Sequence, residues 1–419
     1  MHFISESGVL RLCKLSLIVA IMKIVLFDNK DAHYDLLPLS FTRPICDFRV
    51  GITTIREKWS VLVPDAELHA LPVDFLRARF GCPDDPDEEM LFVSGTLVPD
   101  EDIAARVLSL DSGAAVCCGD MTLAFRGSWR NLESRNFNDV FQEDLRHLRQ
   151  VYDVFLMNPS VMVEDFRRIT RGRKSQPLDE SNRVIGDLED ADGNPMIFLE
   201  EGAKAEGAMF NLKQGPVYIG KDAAVMEGCC VKGPIAFCSH AVARMGSKLY
   251  GGSTFGPYVK VGGEVDNSVI FGFSNKAHDG YLGNAVVGEW CNIGAGVNCS
   301  NLKNDYSKIR LWNYRLHSFA RTDLQFCGPI IGDHTKLGVN VMLNTATVIG
   351  VGVNIYGSGF PRVFVPSFLE GSPTSGFADV PMKRFLTIAE RVMARRNVEL
   401  TDLDRVIFDR IFEYASHLK

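Results

Sequence analysis

The sequence lacks three features that would place it in a specialised class of protein. It has no uninterrupted apolar run of about 18 residues, the length that a membrane-spanning helix needs. Its eleven cysteines show no C-x-x-C spacing, which disfavours a zinc site or a disulfide framework and favours a reducing compartment. The net charge of −7 provides no positive excess for nucleic acid. We therefore expect a cytoplasmic protein with small-molecule partners and no nucleic-acid or membrane partner.

The N-terminal 21 residues stand apart from the rest of the chain. Residues 9–21 weakly resemble the apolar region of a signal peptide, but Arg11 and Lys14 interrupt them and no small-residue cleavage site follows. Met22 then opens MKIVLFD, which has the pattern of a buried strand. We interpret residues 1–21 as a possible start-site extension, with a weak targeting segment as the alternative.

Residues 22–185 alternate between apolar runs and amphipathic segments, which is the pattern of an α/β domain with a largely parallel, Rossmann-like sheet. The predicted strands are residues 22–28, 91–95, 114–118 and 121–125, and the predicted helices are residues 52–62, 100–110, 141–158 and 164–170. A charged stretch with few apolar anchors follows, and we assign residues 186–216 to a connector.

From Ile219 onward an apolar residue recurs at every sixth position, a period that neither a helix nor an alternating strand produces. The repeat comprises Ile219, Val225, Val231, Phe237, Ala243, Leu249, Phe255 and Val261, and it resumes in a new register at Ile331, Leu337, Leu343, Ile349 and Ile355. Glycines often follow these positions, where corners require them. The pattern predicts an all-β domain over residues 217–360, a left-handed parallel β-helix of hexapeptide repeats with three flat faces per turn.

Two segments depart from the six-residue period. Residues 301–329 are polar and aromatic, and they predict a loop extruded from the coil, a place where solenoids often shape a ligand site. Residues 361–419 form a C-terminal tail that returns to helical periodicity, with Thr401 as the cap of the last helix. These helices predict packing on the coil or on a neighbouring subunit.

The densest group of polar side chains lies where the six-residue register breaks, between residues 267 and 286. His278 lies in this break, and a histidine is the natural proton acceptor near pH 7. A lone histidine is more often an ordinary surface residue. Its neighbours here are Lys276, Tyr281, Asn292 and Asn301, which fall on adjacent turns of a coil and so could converge on one groove.

The stretch YLGNAVVGEWCNIGAGVNCSN, preceded by the histidine, resembles the acetyltransferase half of the bacterial bifunctional N-acetylglucosamine-1-phosphate uridyltransferase/glucosamine-1-phosphate acetyltransferase family. The resemblance implies acetyl-CoA as cosubstrate, a sugar phosphate as acceptor and a homotrimer. It also implies a general-base role for His278, sugar contacts for Tyr281 and Asn292, a position beside the amine for Asn301, a coenzyme A contact for Ala295, and phosphate contacts for Lys276 and Lys260.

A divergent branch of this family is similar over nearly all of residues 22–412. The motifs that carry this similarity are SNKAHDGYLG, LWNYR, LQFCGP, GSGFP and RRNVELT. In that branch the N-terminal domain resembles sugar-phosphate nucleotidyltransferases, which use a glycine-rich phosphate loop and an aspartate that holds Mg²⁺.

The N-terminal domain departs from this pattern. The segment after the first strand, FDNKDAHYDLLPL, contains no glycine, and Thr96 stands where the metal-binding aspartate is expected, with Asp100 and Asp120 as weak substitutes. Within PLSFTRP, Arg43 is a candidate nucleotide ligand; otherwise Arg43, Arg49 and Lys58 are ordinary solvated charges. Two interpretations stay open: an atypical nucleotidyltransferase that needs Mg²⁺, or a degenerate domain retained for binding or architecture.

Three hypotheses follow for the whole chain. The leading one is acetyl-CoA-dependent acyl transfer to an amino-sugar phosphate such as glucosamine 1-phosphate, catalysed by His278 and Asn301. The second is nucleotidyl transfer from UTP or dTTP to a sugar 1-phosphate, with the coil acting as a trimerisation module. The third is a non-enzymatic scaffold that binds a sugar nucleotide.

Overall fold

The computed structural model describes residues 22–418 and divides them into an N-terminal α/β domain, a long β coil and two C-terminal helices. The first 21 residues, interpreted above as a possible start-site extension, lie outside the described residues. None of the helices in the described part is long and apolar enough to cross a membrane.

The N-terminal domain is built on one six-stranded sheet with helices packed against it. Its strands are β1 (Lys23–Phe27), β2 (Glu67–Leu71), β3 (Met90–Ser94), β4 (Ala114–Cys118), β5 (Met121–Gly127) and β6 (Asp139–Gln142). Its α-helices are α1 (Lys30–Asp35), α2 (Ile55–Leu62), α3 (Asp74–Phe80), α4 (Glu101–Leu108), α5 (Trp129–Ser134) and α6 (Asp153–Thr170), and short 3₁₀ turns cover Leu39–Phe41 and Ile45–Asp47.

The sheet has the order β2-β1-β3-β5-β4-β6 and is mixed. Neighbours β1–β2, β1–β3 and β4–β6 run parallel, whereas β5 is antiparallel to both β3 and β4. The antiparallel pairing follows from the tight connection of β4 to β5, which leaves no room for a crossover helix. The α/β class predicted from the alternation of elements is confirmed, with this one inverted strand.

The segment after β1, where the sequence predicts a loop without glycine, forms the short helix α1. The helix predicted at 141–158 begins only at Asp153, because residues 139–142 form β6, and it continues without a break through the helix predicted at 164–170 as α6. The predicted helix at Asp100 begins there, because the Asp100 carboxylate accepts a hydrogen bond from the main-chain N–H of Ile103 at 2.8 Å. That bond commits Asp100 to capping α4.

The coil is a left-handed parallel β-helix whose strands stack into three sheets, which we call the first, second and third faces in chain order. The first face holds β7 (Arg183–Ile185), β10 (Met209–Asn211), β13 (Cys230–Lys232), β16 (Lys248–Leu249), β19 (Glu264–Asp266) and β22 (Tyr281–Gly283), and it continues as the pair β25 (Asn298–Cys299) and β30 (Met342–Leu343). The second face holds β8 (Ile197–Leu199), β11 (Val217–Ile219), β14 (Ile235–Phe237), β17 (Ser253–Phe255), β20 (Val269–Ile270), β23 (Val286–Val287), β28 (Ile330–Ile331), β31 (Val348–Ile349) and β33 (Phe364–Val365). The third face holds β9 (Lys204–Ala205), β12 (Ala224–Val225), β15 (Val242–Ala243), β18 (Lys260–Val261), β21 (Asn275–Lys276), β24 (Asn292–Ile293), β29 (Lys336–Leu337), β32 (Asn354–Ile355), β34 (Leu369–Ser372) and the antiparallel β35 (Gly376–Asp379).

The hexad residues point into the coil, as the six-residue period predicts. Every residue of the two predicted series is buried, from Ile219 to Val261 and again from Ile331 to Ile355. The coil extends beyond its predicted limits at both ends. Residues 186–216, assigned to a connector, contribute β8, β9 and β10. That prediction was wrong because the six-residue apolar series, continued back from Ile219, falls on Lys213, Gly207 and Glu201.

A ladder of stacked rings occupies the corner between the second and third faces. Its members are His240, Tyr258, Phe273, Trp290 and His334, one per turn, with ring centroids 4.2–6.1 Å apart. All five adopt the left-handed backbone conformation, with φ between 58° and 63°, which a tight corner requires. The C-terminal helices α7 (Met382–Ala394) and α8 (Asp402–Ser416) pack on its last rung through Phe385 and Phe408.

The loop predicted at residues 301–329 leaves the coil and forms a hairpin of β26 (Arg310–Asn313) and β27 (Ser318–Arg321). Its turn reaches the N-terminal domain, where Asp35 of α1 accepts hydrogen bonds from Asn313 Nδ2 at 2.8 Å and Arg315 Nε at 2.9 Å. The coil therefore holds the helix that stands in place of a glycine-rich phosphate loop.

The second face of the coil is sealed by the N-terminal domain. Six of its outward residues are at most 1% exposed, namely Ala236, Thr254, Val269, Val286, Ile330 and Val348. Helix α6 lies over it, and Asn158 donates to the Gly252 carbonyl at 2.8 Å and to the Thr254 hydroxyl at 3.0 Å. This contact joins the domain and the coil into one body.

Buried charges complete the junction. The Lys58 ammonium pairs with Asp165 at 2.5 Å, and both side chains are at most 1% exposed. Arg49 is also buried and bonds the Ile52 carbonyl. The prediction of solvated charges for Arg49 and Lys58 was therefore wrong, because their partners come from a helix and a turn that the sequence does not place beside them.

Arg43, predicted as a nucleotide ligand, is instead a link between domain and coil. Its guanidinium contacts Glu289 at 3.1 Å and pairs closely with Asp333, which also accepts from the Thr42 hydroxyl at 2.7 Å. The Arg43 side chain is 8% exposed and faces away from the carboxyl ends of β1 and β2. Asp333 lies 290 residues away along the chain, and nothing in the sequence marks it as the partner of Arg43.

We expect Arg43→Ala to lower the free energy of unfolding by about 3–5 kcal/mol, because it leaves Asp333 buried without its cation. Urea denaturation measures this loss. The matched control is Arg130→Ala, which removes an exposed arginine paired with Asp87 and should change stability little. Equal effects of the two substitutions would contradict the junction role of Arg43.

Candidate functional site

The corner that carries His278 connects the third face (β21) to the first face (β22). Both of these faces differ from the sealed second face, since outward residues such as Lys248 and Asn292 are exposed. His278 is itself exposed, and no side chain within residues 22–418 hydrogen-bonds its imidazole. The candidate base therefore lies on the side of the coil that the rest of the described chain leaves open.

Lys276, two residues before His278, points into the coil. It takes an inward position in register with Val261, and the residue is 1% exposed. Its ammonium donates to the Gly262 carbonyl at 3.0 Å and to the His278 carbonyl. Lys276 therefore holds the turn that presents His278, and this placement replaces the phosphate contact that the resemblance implies.

Burial lowers the pKa of Lys276 to about 8, although the nearby Cys299 thiol and Asp279 act in the opposite direction. An ammonium in an apolar coil is costly unless it is hydrogen-bonded. The two carbonyls provide that compensation, and they bind the lysine to the two turns on either side of the candidate site.

Asn301 lies on the first face side of the site and is held by two neighbours. Its Nδ2 donates to the Tyr281 hydroxyl at 2.9 Å and to Asn284 Oδ1 at 2.8 Å. The three residues come from successive parts of two turns, as predicted for Tyr281 and Asn301. The sequence analysis did not identify Asn284. This residue lies at a corner of the coil and has a left-handed backbone, with φ of 48°, a conformation that asparagine adopts more often than most residues do.

This trio leaves two groups for a ligand. Within the described residues, the Asn301 Oδ1 and the Tyr281 hydroxyl hydrogen have no partner of their own. Burial raises the pKa of Tyr281 to about 12, with a smaller contribution from Asp266, so the phenol stays protonated near neutral pH. The cluster can accept a hydrogen bond from an amine and donate one to a sugar oxygen.

The remaining predicted residues lie on the third face and beyond it. Asn292 is exposed in β24, and Lys260 projects from β18 in register with Asn275. Ala295 lies at the following corner, and its carbonyl accepts from the Asn340 main-chain N–H at 2.8 Å. The single chain thus places Tyr281 and Asn301 on one face and Asn292 and Lys260 on another.

Lys260 belongs to a group of like charges on the third face. Burial and the nearby Arg396, Arg244 and Arg395 lower the pKa of Lys260. Arg396 also lies 6.0 Å from the Tyr258 ring of the corner ladder. Uncompensated cations at this position favour an anionic ligand along the third face.

Apart from the site at His278, a cavity lies in the N-terminal domain, at the carboxyl ends of β1 and β2. It has a volume of about 980 Å³, and its floor includes Asp28 and His33. Ligands of open α/β sheets bind at this edge. The cavity is the place where a nucleotidyltransferase domain would hold its substrates.

The three residues that the sequence offers as Mg²⁺ ligands have other roles in the structure. Thr96, at the predicted metal position, is buried and hydrogen-bonds the Ser94 hydroxyl at 2.8 Å. Asp100 caps α4, and Asp120 supplies only its carbonyl, to Arg135. No group of three or more potential metal ligands occurs among residues 22–418. None of Thr96, Asp100 and Asp120 lies in the lining of the cavity.

Known proteins are similar to this chain over parts of its length. Residues 24–174 match the family model described as sugar nucleotidyl transferase. A 95-residue stretch is 35% identical to a bifunctional sugar-1-phosphate nucleotidylyltransferase/acetyltransferase of Sulfurisphaera tokodaii, covering 22% of this chain and 23% of that protein. A 124-residue stretch is 32% identical to the bifunctional protein GlmU of Paracoccus denitrificans, covering 30% and 25%. The matches span about a quarter of these relatives, and the resemblance read from the sequence is confirmed.

Solved structures are also similar to parts of this chain. The polysialic-acid-specific acetyltransferase NeuO covers 57% of this chain and all of its own, at 14% identity and a TM-score of 0.27. The UDP-N-acetylglucosamine acyltransferase of Francisella novicida covers 57% of this chain and 83% of its own, at 13% identity and a TM-score of 0.22. The coil described here follows from its own strand register and not from these likenesses.

The buried lysine has a measurable consequence for stability. Because the folded-state pKa of Lys276 is about 8 and its ordinary value is 10.5, the unfolded chain binds more protons between these values. The free energy of unfolding should therefore rise with pH in this window, by at most about 1.4 kcal/mol per pH unit from this group.

Urea denaturation of the unsubstituted protein and of Lys276→Met, at pH values from about 7.5 to about 9.5, isolates this contribution. This range covers the lower part of the window. We expect the stability difference between them to grow in favour of the unsubstituted protein as pH increases. Lys248→Met, which removes an exposed lysine of the same coil, should show a constant difference. A constant difference for Lys276→Met as well would contradict the buried ammonium.

Proposed function

We propose that the protein transfers an acyl group from acetyl-CoA to the amine of a phosphorylated amino sugar, at the corner that carries His278. The observation that supports this most is an exposed histidine three residues before Tyr281, whose hydroxyl accepts a hydrogen bond from Asn301, on the open side of the coil. The similarity to bifunctional nucleotidylyltransferase/acetyltransferases supports the same reaction class.

In the proposed reaction the His278 imidazole removes a proton from the sugar amine as the nitrogen attacks the thioester carbon. The carbon–sulfur bond breaks, and the coenzyme A thiolate leaves with the proton that His278 had taken. Asn301 Oδ1 accepts a hydrogen bond from the amine and so orients its lone pair, while Tyr281 donates to a sugar oxygen. A main-chain N–H near the corner stabilises the developing oxyanion.

The open faces support a site shared between coils. Tyr281 and Asn301 lie on the first face, whereas Asn292, Lys260 and the Ala295 corner lie on or beyond the third. A homotrimer in which the third face of one coil meets the first face of its neighbour would bring both sets to one groove. The cations around Lys260 would then contact the phosphates of the sugar or of coenzyme A.

A second candidate, nucleotidyl transfer in the N-terminal domain, is favoured by the family match over residues 24–174. It is opposed by the absence of Thr96, Asp100 and Asp120, the candidate Mg²⁺ ligands of the sequence, from the lining of the cavity. The third candidate, a non-enzymatic scaffold, would show neither activity.

The test is release of coenzyme A from acetyl-CoA and glucosamine 1-phosphate by the purified protein. We expect His278→Ala to reduce kcat by about 100-fold or more, since it removes the general base. His317→Ala, an exposed histidine at the hairpin turn, is the matched control and should retain activity. Unchanged release in His278→Ala would exclude the proposed base.

A parallel assay for pyrophosphate separates the candidates. UTP or dTTP with a sugar 1-phosphate and Mg²⁺ should yield none. Magnesium-dependent pyrophosphate release would establish the second candidate, and no reaction in either assay across several amino sugars would favour the scaffold.

A further inference from the structure

The first face of the coil carries a carboxylate beside the Asn301–Tyr281 pair that the proposed reaction does not use. Asp266 lies at the end of β19, next to Gly283 of β22 in the parallel register. Val265, the residue before it, is fully buried in the coil, so the alternation along the strand directs the Asp266 side chain outward. Asp266 and Tyr281 therefore lie on the same outer surface.

Gly283 leaves space between this carboxylate and the pair. A side chain at Gly283 would meet the Tyr281 hydroxyl oxygen and would lie 2.9 Å from Asn301 Nδ2. The Tyr281 hydroxyl and the Asn301 amide therefore lie over Gly283, which is one strand spacing, about 4.8 Å, from Asp266. The negative charge of Asp266 is close enough to contribute to the raised pKa of Tyr281. The three side chains border one small area of the first face.

The main chain of Asp266 is fixed, but its carboxylate has no partner. The Asp266 carbonyl accepts from the Asn284 main-chain N–H at 3.0 Å and from the Ser268 hydroxyl at 2.7 Å. Within residues 22–418 no side chain hydrogen-bonds or pairs with the Asp266 carboxylate. Glu264, at the other end of the same strand, differs because it lies 3.8 Å from the Lys248 ammonium. Asp266 is therefore the carboxylate of β19 that remains available to a ligand.

A half-buried carboxylate without a partner favours a ligand that donates hydrogen bonds or carries positive charge. Burial raises the pKa of Asp266, an effect that Lys232 opposes and Glu264 increases. A donor from the ligand would offset this loss of hydration. A phosphate group at the same position would be repelled by the like charge. The cations that suit a phosphate lie instead around Lys260 on the third face.

We infer that Asp266 is a specificity-determining residue of the acyl-transfer site, which binds the protonated amine of the acceptor sugar together with Asn301 Oδ1. An ammonium group donates three hydrogen bonds and can satisfy both acceptors, whereas a hydroxyl group donates one. The ammonium–carboxylate hydrogen bond is also charge-assisted and therefore stronger. The inference rests on the proposed acyl transfer, in which His278 then removes the proton from this amine.

Isothermal titration of the full-length protein tests it, with glucosamine 1-phosphate and glucose 1-phosphate as probes near neutral pH. The two esters differ only in carrying an amine or a hydroxyl at the same ring carbon. Repulsion of the phosphate, or binding of the shared sugar phosphate elsewhere, affects both esters alike, so the ratio of their dissociation constants reports on the amine. We expect the amino ester to bind about tenfold or more tightly than the hydroxyl ester.

Substitutions at Asp266 identify the group responsible for this preference. Asp266→Asn removes the charge with little change of shape and should reduce the ratio to about threefold or less, at an unchanged melting temperature. Asp266→Glu keeps the carboxylate and should retain most of the preference. Asp222→Asn, at an exposed corner of an earlier turn of the coil, is the matched control and should leave the ratio unchanged.

Steady-state kinetics of coenzyme A release separates binding from chemistry. Asp266→Asn should raise the KM for glucosamine 1-phosphate by about tenfold and change kcat by less than about threefold, because His278 and Asn301 are still present. A loss confined to kcat would contradict a role in binding the amine.

Four binding results would overturn the inference. They are equal binding of the two esters by the unsubstituted protein, no binding of either at millimolar concentration, a ratio that Asp266→Asn leaves unchanged, and an equal gain in affinity for both esters in Asp266→Asn. The last result would show that the carboxylate only repels phosphate. A preference that depends on Asp266 without any release of coenzyme A would support the amine site and contradict the proposed acyl transfer.

Discussion

The sealed second face of the coil is the constraint on which the rest of the structure depends. A three-faced coil needs only its interior to be apolar, yet here the outward residues of one face are buried as well, beneath α6 and the Arg43–Asp333 link. The burial of this face holds the N-terminal domain against the coil. The corner ladder between the second and third faces is in contact with the C-terminal helices at its last rung, His334.

The open corner is shaped from inside the coil as much as from outside it. Lys276 occupies a position that other turns give to an aliphatic residue, and its hydrogen bonds hold the main chain of His278. Asn301 is fixed in turn by Tyr281 and Asn284. The loop that begins at Asn301 then crosses to α1, so one connection borders both the candidate acyl-transfer site and the helix beside the N-terminal cavity.

The sequence predicted those parts of the architecture that depend on residues close together in the chain. The six-residue series was sufficient to predict the coil, because the spacing alone places each residue from Ile219 to Val261 in the interior, where all of them are buried. The helix cap at Asp100 depends only on residues 100–103. The roles of Arg43 and Lys276 were not predictable. Arg43 depends on a carboxylate about 290 residues distant, and an inward lysine is indistinguishable in sequence from an outward one. The early coil turns were missed because the six-residue apolar series does not continue back from Ile219 and falls there on Lys213, Gly207 and Glu201.

The central claim is that the open first and third faces of neighbouring coils form one site. Co-assembly of His278→Ala with Asn292→Ala tests it most directly, because each variant alone lacks one side of every groove. If the groove is shared, mixed oligomers regain intact grooves and should release coenzyme A at about a quarter of the unsubstituted rate. Mixed oligomers no more active than the better of the two variants alone would contradict the account.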